Sequence, residues 1–288
     1  MKISIENNNL TVSQLKCFDL EKTLDCGQAF RWNKNINGSY TGVAYSKPLT
    51  IKQSGNELYF YDISKTDFEL IWADYFDLNR DYDTIEKSLA TDDVMKAATK
   101  YGSGIRLLKQ DLWETIISFI ISASNNIPRI KKIIESLCRE FGEKIEYAGK
   151  SYYSFPSPQQ LKDITLEDLG AIRAGFRDKY ILEAVRRVNS GEFDMSVFPY
   201  LDNAAAKDKL LSLYGVGNKV ADCIMLFGLQ RYNAFPVDVW IKRVMEHFYF
   251  EDKQKISNVQ EFAQDKFGEL SGFAQQYLFY YARENKID

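Results

Sequence analysis

The stretch Leu210-Leu211-Ser212-Leu213-Tyr214-Gly215-Val216-Gly217-Asn218-Lys219-Val220-Ala221-Asp222-Cys223 constrains this chain more than any other. An apolar helical run ends at Leu213, turns through Gly-Val-Gly, and a second apolar helix begins at once. Glycines at both ends of the turn permit positive φ and let another backbone come close. Amides at the start of the second helix make an anion site suited to a DNA phosphate, which would position a duplex without reading its sequence. A plain two-helix turn with a glycine C-cap accounts for the same spacing. Lys219 separates the two readings. In the first turn of a helix it faces the positive dipole end, which disfavours the ammonium, and a free amine is a nucleophile. Taken alone, such a lysine also fits a solvated phosphate contact. Cys223 lies four residues on, on the same helical face. In Phe235-Pro236-Val237-Asp238-Val239-Trp240 the residue before proline is extended, and Asp238 stands where an N-cap belongs. As more than a cap, its carboxylate near Lys219 could stabilise a developing sugar cation.

Composition removes several other chemistries. One histidine in 288 residues leaves little room for His-based metal sites or a Ser-His-Asp triad. Cys17, Cys26, Cys138 and Cys223 are scattered without a CxxC pair, which argues against a zinc ribbon or a four-Cys iron–sulfur cluster and predicts no metal site. No apolar run is long enough to span a membrane, and the start MKISIENNNL lacks a signal-peptide core, so an intracellular protein is expected, cytoplasmic or nucleoid-associated in a prokaryote. The net charge of -3 hides an uneven distribution. Residues 62–93 carry ten acids and three bases, whereas residues 94–250 carry 22 bases and 18 acids. A mildly basic body permits a nucleic-acid partner, with the acidic segment expected away from it.

Phe30 to Trp32, Tyr40 to Ala44, Leu49 to Lys52 and Leu58 to Tyr61 read as short strands separated by Asn37-Gly38 and Ser54-Gly55-Asn56 turns. From about Asp83 the spacing is helical. Helices are expected around Trp113–Ile121, over Ile127–Phe141, from Ser157-Pro158, and from Thr165. Others are expected over Asp178–Val188, Ala204–Leu213, Gly215–Leu229, Asp238–Phe250, Val259–Phe267 and Phe273–Glu284. The predicted class is α+β, an N-terminal antiparallel β-sheet domain (residues 1–98, with trailing helices) followed by an all-helical body (residues 99–288).

With these residues in view, LYGVGNKVADC and FPVDVW resemble the helix-hairpin-helix DNA glycosylases with a Gly/Pro…Asp signature, and more narrowly the 8-oxoguanine DNA glycosylase/lyases. Three further segments carry the likeness: Cys26-Gly27-Gln28-Ala29-Phe30-Arg31-Trp32, Ser124-Asn125-Asn126-Ile127-Pro128-Arg129-Ile130, and Gly272-Phe273-Ala274-Gln275-Gln276-Tyr277-Leu278-Phe279. The resemblance implies a two-lobed helical body and a monomer that repairs double-stranded DNA containing 8-oxoguanine. The target nucleotide would be extruded into a pocket. Lys219 would attack the sugar C1′ and form a Schiff base, Asp238 would stabilise the cation, and β-elimination would nick the strand.

For the base, the resemblance places the Gly27 carbonyl on the N7 hydrogen, Cys223 and Phe279 on the two ring faces, Gln275 on the Watson–Crick edge, and Pro236 in the pocket. It places Gly215 and Gly217 on a phosphate, Arg129 and Arg177 on the opposite cytosine, and Phe176 as a wedge, with Asn125 and Asn126 beside the DNA. Ser124 departs from a family asparagine that fills the gap left by extrusion, and Trp240 from a phosphate-contacting histidine. No cofactor is implied beyond an alkali cation on hairpin carbonyls. Two alternatives stay open: a glycosylase for other oxidised or alkylated purines, and a non-catalytic helix-hairpin-helix module. The absence of clustered cysteines after the hairpin and the presence of Lys219 favour the 8-oxoguanine branch.

Overall fold

Alternating burial builds the first layer. The computed structural model describes residues 1–6, 8–250 and 256–285, with the side chains of residues 256 and 257 outside the description. Strands β1 (Lys2–Glu6), β2 (Asn9–Ser13), β3 (Trp32–Lys34), β4 (Tyr40–Ala44), β5 (Lys47–Ser54) and β6 (Glu57–Tyr61) form one antiparallel sheet of order β1-β2-β6-β5-β4-β3. The register sets Leu10 opposite Phe60, and Ile51 opposite both Phe60 and Tyr40, so one face is continuously apolar. Gly38 (φ +79°) and Gly55 (φ +58°) sit in the two expected hairpin turns. A helical run over residues 65–75, including one π turn, covers the sheet with Phe68 and Trp72. Their rings lie 5.1 Å from Phe60 and 6.1 Å from Trp32.

The helical body follows. Its elements are α2 (Tyr82–Leu89), α3 (Asp93–Gly102), α4 (Leu112–Ser122), α5 (Ile127–Phe141), α6 (Leu166–Gly170), α7 (Asp178–Asn189), α8 (Asn203–Leu211), α9 (Asn218–Phe227), α10 (Val239–Tyr249), α11 (Ile256–Phe267) and α12 (Ser271–Asn285). A small helix, α1 (Leu20–Asp25), lies between β2 and β3. The expected helix from Ser157-Pro158 is absent: Ser157 accepts from the Gln160 amide, and the chain makes turns until the Thr165–Asp168 capping box opens α6. A β7–β8 hairpin (Lys144–Tyr147, Lys150–Tyr153) follows α5.

Two cores result. The sheet core ends with Leu78 and Leu108, whereas Tyr82, Ile85, Leu89, Met95 and Ala98 of α2 and α3 belong to the helical core. The segment between them is pinned by buried Gln28, which donates to the Thr23 and Arg106 carbonyls and accepts from the Leu108 amide. This fixes the turn at Cys26-Gly27 against the helical body. Among the described residues no helix is long and apolar enough to cross a membrane.

Candidate active site

The turn between α8 and α9 uses its two glycines differently. Gly215 takes φ +86°, and a Cβ there would stand 2.4 Å from the Tyr180 ring. Gly217 has φ -93° and ψ 179°, an ordinary extended geometry; it is the N-cap of α9 and supplies no side-chain cap. The first-turn amides of α9 therefore lack a capping oxygen at the positive end of a helix buried from Val220 to Phe227. Asp222, one turn into α9, pairs with Lys207 of α8 at 2.7 Å and accepts from Gln260, which locks the two hairpin helices together.

Lys219 leaves this hairpin with its Nζ 5.3 Å from the Phe119 ring centre. Its charge is the largest influence opposing the burial that pushes the Cys223 thiol up to about 11. Cys223 is therefore an uncharged, soft surface at neutral pH. Asp238 caps α10, its Oδ1 accepting the Ile241 amide at 2.8 Å. Burial raises its carboxyl above the ordinary value, while the Ile241 amide and the charge of Lys219 pull it down. Lysine and carboxylate thus feel each other across a partly desolvated gap.

The facing wall comes from opposite ends of the chain. Gly27 has φ +86°, which favours glycine, whereas an added Cβ would make only ordinary contacts, 3.4 Å from Ile127 Cδ1 and 3.6 Å from Phe279 Cε1. Gln276 of α12 donates to the Cys26 carbonyl at 3.1 Å. Arg283 donates to the Asp25 carbonyl at 2.9 Å and lies 5.8 Å from the Phe279 ring. Cys26, Gly27, Cys223, Pro236, Gln275 and Phe279 line one small cavity of about 50 Å³ together with Lys219 and Asp238. Gln275 Oε1 is buried there without a hydrogen-bond partner. A group left so is costly unless a ligand supplies the donor. The cavity, about 50 Å³, has room for water but not for a purine, so a base could enter only if part of its lining moves.

The other expected DNA contacts separate into two sets. Arg129, Phe176, Gly217 and Ser124 are exposed, and Trp240 is half-buried beneath Arg243, 5.7 Å from its ring. Ser124 holds φ +49°, a strained conformation for a serine. Arg177 departs from expectation: it is 1% exposed, donates to the carbonyls of Ala123, Ser124 and Ala174, and lies 4.3 Å under the Phe176 ring. In this structure its guanidinium holds the loop before α5 and is not presented to a base. Asn125 and Asn126 are also spent locally. Asn125 donates to the Ile121 carbonyl and accepts from the Asn126 amide, and Asn126 caps α5 through the Arg129 amide.

Sequence reasoning left out Cys26, Phe119, Phe227 and Gln276, which complete the pocket. Gln276 could have been noticed, since a glutamine inside an otherwise apolar helical stretch must find a partner. The two phenylalanines read as ordinary core. His247 is exposed on α10 with its ring 4.6 Å from Phe248. Among the described residues no group of three or more His, Cys, Asp or Glu side chains could hold a metal ion.

Comparison with known proteins agrees with this geometry. The family model for the 8-oxoguanine DNA glycosylase N-terminal domain matches residues 9–116, and that for HhH-GPD superfamily base-excision DNA repair proteins matches residues 117–269. A probable N-glycosylase/DNA lyase of Methanothermobacter thermautotrophicus is 30% identical over 94% of this chain and 95% of its own. The structure of MBOgg1 with a low-affinity DNA ligand is 48% identical, covers 99% of both chains and superposes with a TM-score of 0.97. The 8-oxoguanine glycosylase/lyase of Clostridium acetobutylicum, solved with double-stranded DNA carrying cytosine opposite 8-oxoguanine, is 43% identical, covers 100% of this chain and 99% of its own, and also gives 0.97. With its hairpin lysine, capping aspartate and N-terminal sheet domain, the chain belongs to the HhH-GPD superfamily of base-excision DNA repair proteins.

Proposed function

We propose that the protein is a bifunctional DNA glycosylase/lyase that extrudes 8-oxoguanine from duplex DNA, excises it and nicks the strand, acting as a monomer. The observation that carries this reading is the convergence of Lys219 and Asp238 with Gly27, Cys223, Gln275 and Phe279 on one cavity built from a single chain. The uncapped amides of α9 hold a phosphate beside the lesion. The base then enters between Cys223 and Phe279. The unpaired Gln275 Oε1 accepts from its Watson–Crick edge, and the Gly27 carbonyl accepts the N7 hydrogen that guanine lacks. A base without that hydrogen leaves the carbonyl unpaired in a dry site, which is a strong basis for rejection.

Once it has given up its proton, the Lys219 amine attacks C1′. The C1′–N9 bond breaks, its electron pair leaving with the base, which takes up a proton. Asp238 stabilises the cationic sugar as this happens. After the nitrogen loses its proton the sugar ring opens to a C1′=N Schiff base. Loss of a C2′ proton then expels the 3′ phosphate oxygen, breaking the strand, and water frees the lysine. Arg129 reads the cytosine, Phe176 wedges the gap, and Trp240 lies near the backbone. The alkali cation expected on the hairpin carbonyls enters none of these steps.

Borohydride added during reaction with an 8-oxoguanine duplex is expected to trap a covalent adduct in the wild-type protein and none in Lys219→Gln. Full trapping by Lys219→Gln would reject the nucleophile. Faster release of 3-methyladenine than of 8-oxoguanine would reject the substrate. Duplex binding with no base released would reject catalysis altogether.

A further inference from the structure

A second, larger cavity lies outside the lesion pocket and shares no lining residue with it. This groove of about 640 Å³ runs between α5 and residues 171–173 to the start of β3. Six basic side chains line it against a single carboxylate, Glu135. Glu135 is engaged by Arg139 at 3.7 Å, and Lys131 by Asp25 at 3.6 Å. Among the described residues Arg129, Lys132 and Arg173 have no carboxylate partner. The groove ends on Arg31, whose side chain is 5% exposed. Its Nη2 donates to the Tyr153 carbonyl and its Nη1 stands 3.6 Å from Glu114, yet Nε and Nη1 are buried with no hydrogen-bond partner. Phe30, Ile133 and Ile172 contribute apolar surface to the same cavity.

We propose that this groove binds a nucleoside monophosphate unit, with its phosphate on Lys132 and Arg173 and its base on the apolar wall. A bare anion would leave most of the volume and all of the apolar surface unused, whereas the size suits a ligand with both a charged and a flat apolar part. Guanidinium groups favour phosphate through paired donors. The nucleotide has two available sources, a free nucleotide or one residue of the undamaged strand of bound DNA. The site itself does not depend on the glycosylase reading; only the second source does.

Full-length protein titrated calorimetrically with dAMP at low salt should show saturable binding, tighter than inorganic phosphate. Arg173→Glu and Lys132→Glu each remove one charge-assisted contact, and Ser136→Trp fills the groove; each should weaken dAMP at least about tenfold. Gln275→Ala, in the other pocket, should leave dAMP affinity unchanged. The two charge reversals lie on exposed or solvent-facing backbone and should melt with the wild-type protein, so loss of fold cannot mimic the result if Ser136→Trp misfolds. Displacement of dAMP by an 8-oxoguanine duplex identifies the occupant as part of bound DNA, and simultaneous binding identifies a free nucleotide. No saturable binding, binding indifferent to the three groove substitutions, or binding abolished by Gln275→Ala would overturn the site. Normal excision by wild-type protein that binds no dAMP would overturn the groove alone and leave the glycosylase reading standing.

Discussion

Replacing Gly215 by alanine tests how the hairpin is held. The residue sits at φ +86°, where an L-residue costs about 1–2 kcal/mol. The new Cβ would lie 2.4 and 2.5 Å from Cδ2 and Cγ of Tyr180, against an ordinary carbon–carbon contact of about 3.5 Å, so the ring must retreat about 1 Å. It has little freedom to do so. Tyr180 is flanked edge-on by Tyr214 at 4.9 Å and by Phe176 at 5.8 Å. Overpacking of this kind costs about 1–3 kcal/mol, giving roughly 2–5 kcal/mol together. Thermal unfolding should therefore fall by roughly 5 °C or more. Duplex affinity should fall about tenfold as the amides of α9 lose their aim at a phosphate. Differential scanning calorimetry and fluorescence anisotropy measure the two effects. In a Tyr180→Ala background the Cγ and Cδ2 contacts are gone and only the Cβ, 3.0 Å away, remains, so the same alanine should cost little more than the backbone part, about 1–2 kcal/mol. An equal cost in both backgrounds would refute the clash, and a variant that melts and binds like wild type would refute the whole account.

Asp238→Asn should abolish excision while keeping the α10 cap, since asparagine caps as well as aspartate. Burial raises the Asp238 carboxyl, so its stabilising contribution is complete below the unfolded value and is lost as pH rises through the folded one. The variant should therefore melt above wild type at neutral pH, with the difference closing towards pH 4; the wild-type excision rate should fall on acidification at a pH above the ordinary carboxylate range. Arg177→Met leaves the Ala123, Ser124 and Ala174 carbonyls without their donor and should destabilise by about 1–3 kcal/mol, whereas exposed Arg129→Met should stay within about 0.5 kcal/mol and instead relax the preference for cytosine, measured by excision opposite each base. The division at residues 98 and 99 is proposed as a seam in chain order only. A fragment of residues 99–288 lacks most of α3, against which α12 packs, and should show weak near-ultraviolet circular dichroism and bind a hydrophobic dye.

The parts of this molecule legible in its sequence are those whose signal is local. Ile127–Phe141 is legible to the residue because four isoleucine and leucine positions repeat on one face between an asparagine cap and a glycine. The hairpin of β7 and β8 alternates only over the four residues Lys144–Tyr147, too short a run to read, and its turn residues Ala148 and Gly149 both take positive φ. Helix α1 is six residues among strands, announced only by the Asp19 cap. Within the site, Lys219 and Asp238 are legible because few residue types can do their chemistry. Their supports were not, since the bonds from Gln276 and Arg283 to the Cys26 and Asp25 carbonyls span 250 and 258 positions. Arg177 shows the limit from the other side: an arginine in the expected place is claimed by carbonyls that a strained Ser124 loop leaves open.

Charge obeys the same distinction between local and distant. Most acids of residues 62–93 are occupied within the fold. Asp81 and Asp92 cap α2 and α3, and Asp92 also pairs with Lys266 at 2.8 Å. Asp77 holds Arg80, Asp74 holds Lys109, and Glu86 accepts from Ser103 and the Gly104 amide. None of the ten lines the lesion pocket or the basic groove. A duplex approaching either cavity responds to charges within about 10 Å at moderate salt. Carboxylates held in caps and ion pairs are partly offset by their partners, so the field at either cavity is less negative than the net charge of the whole chain suggests.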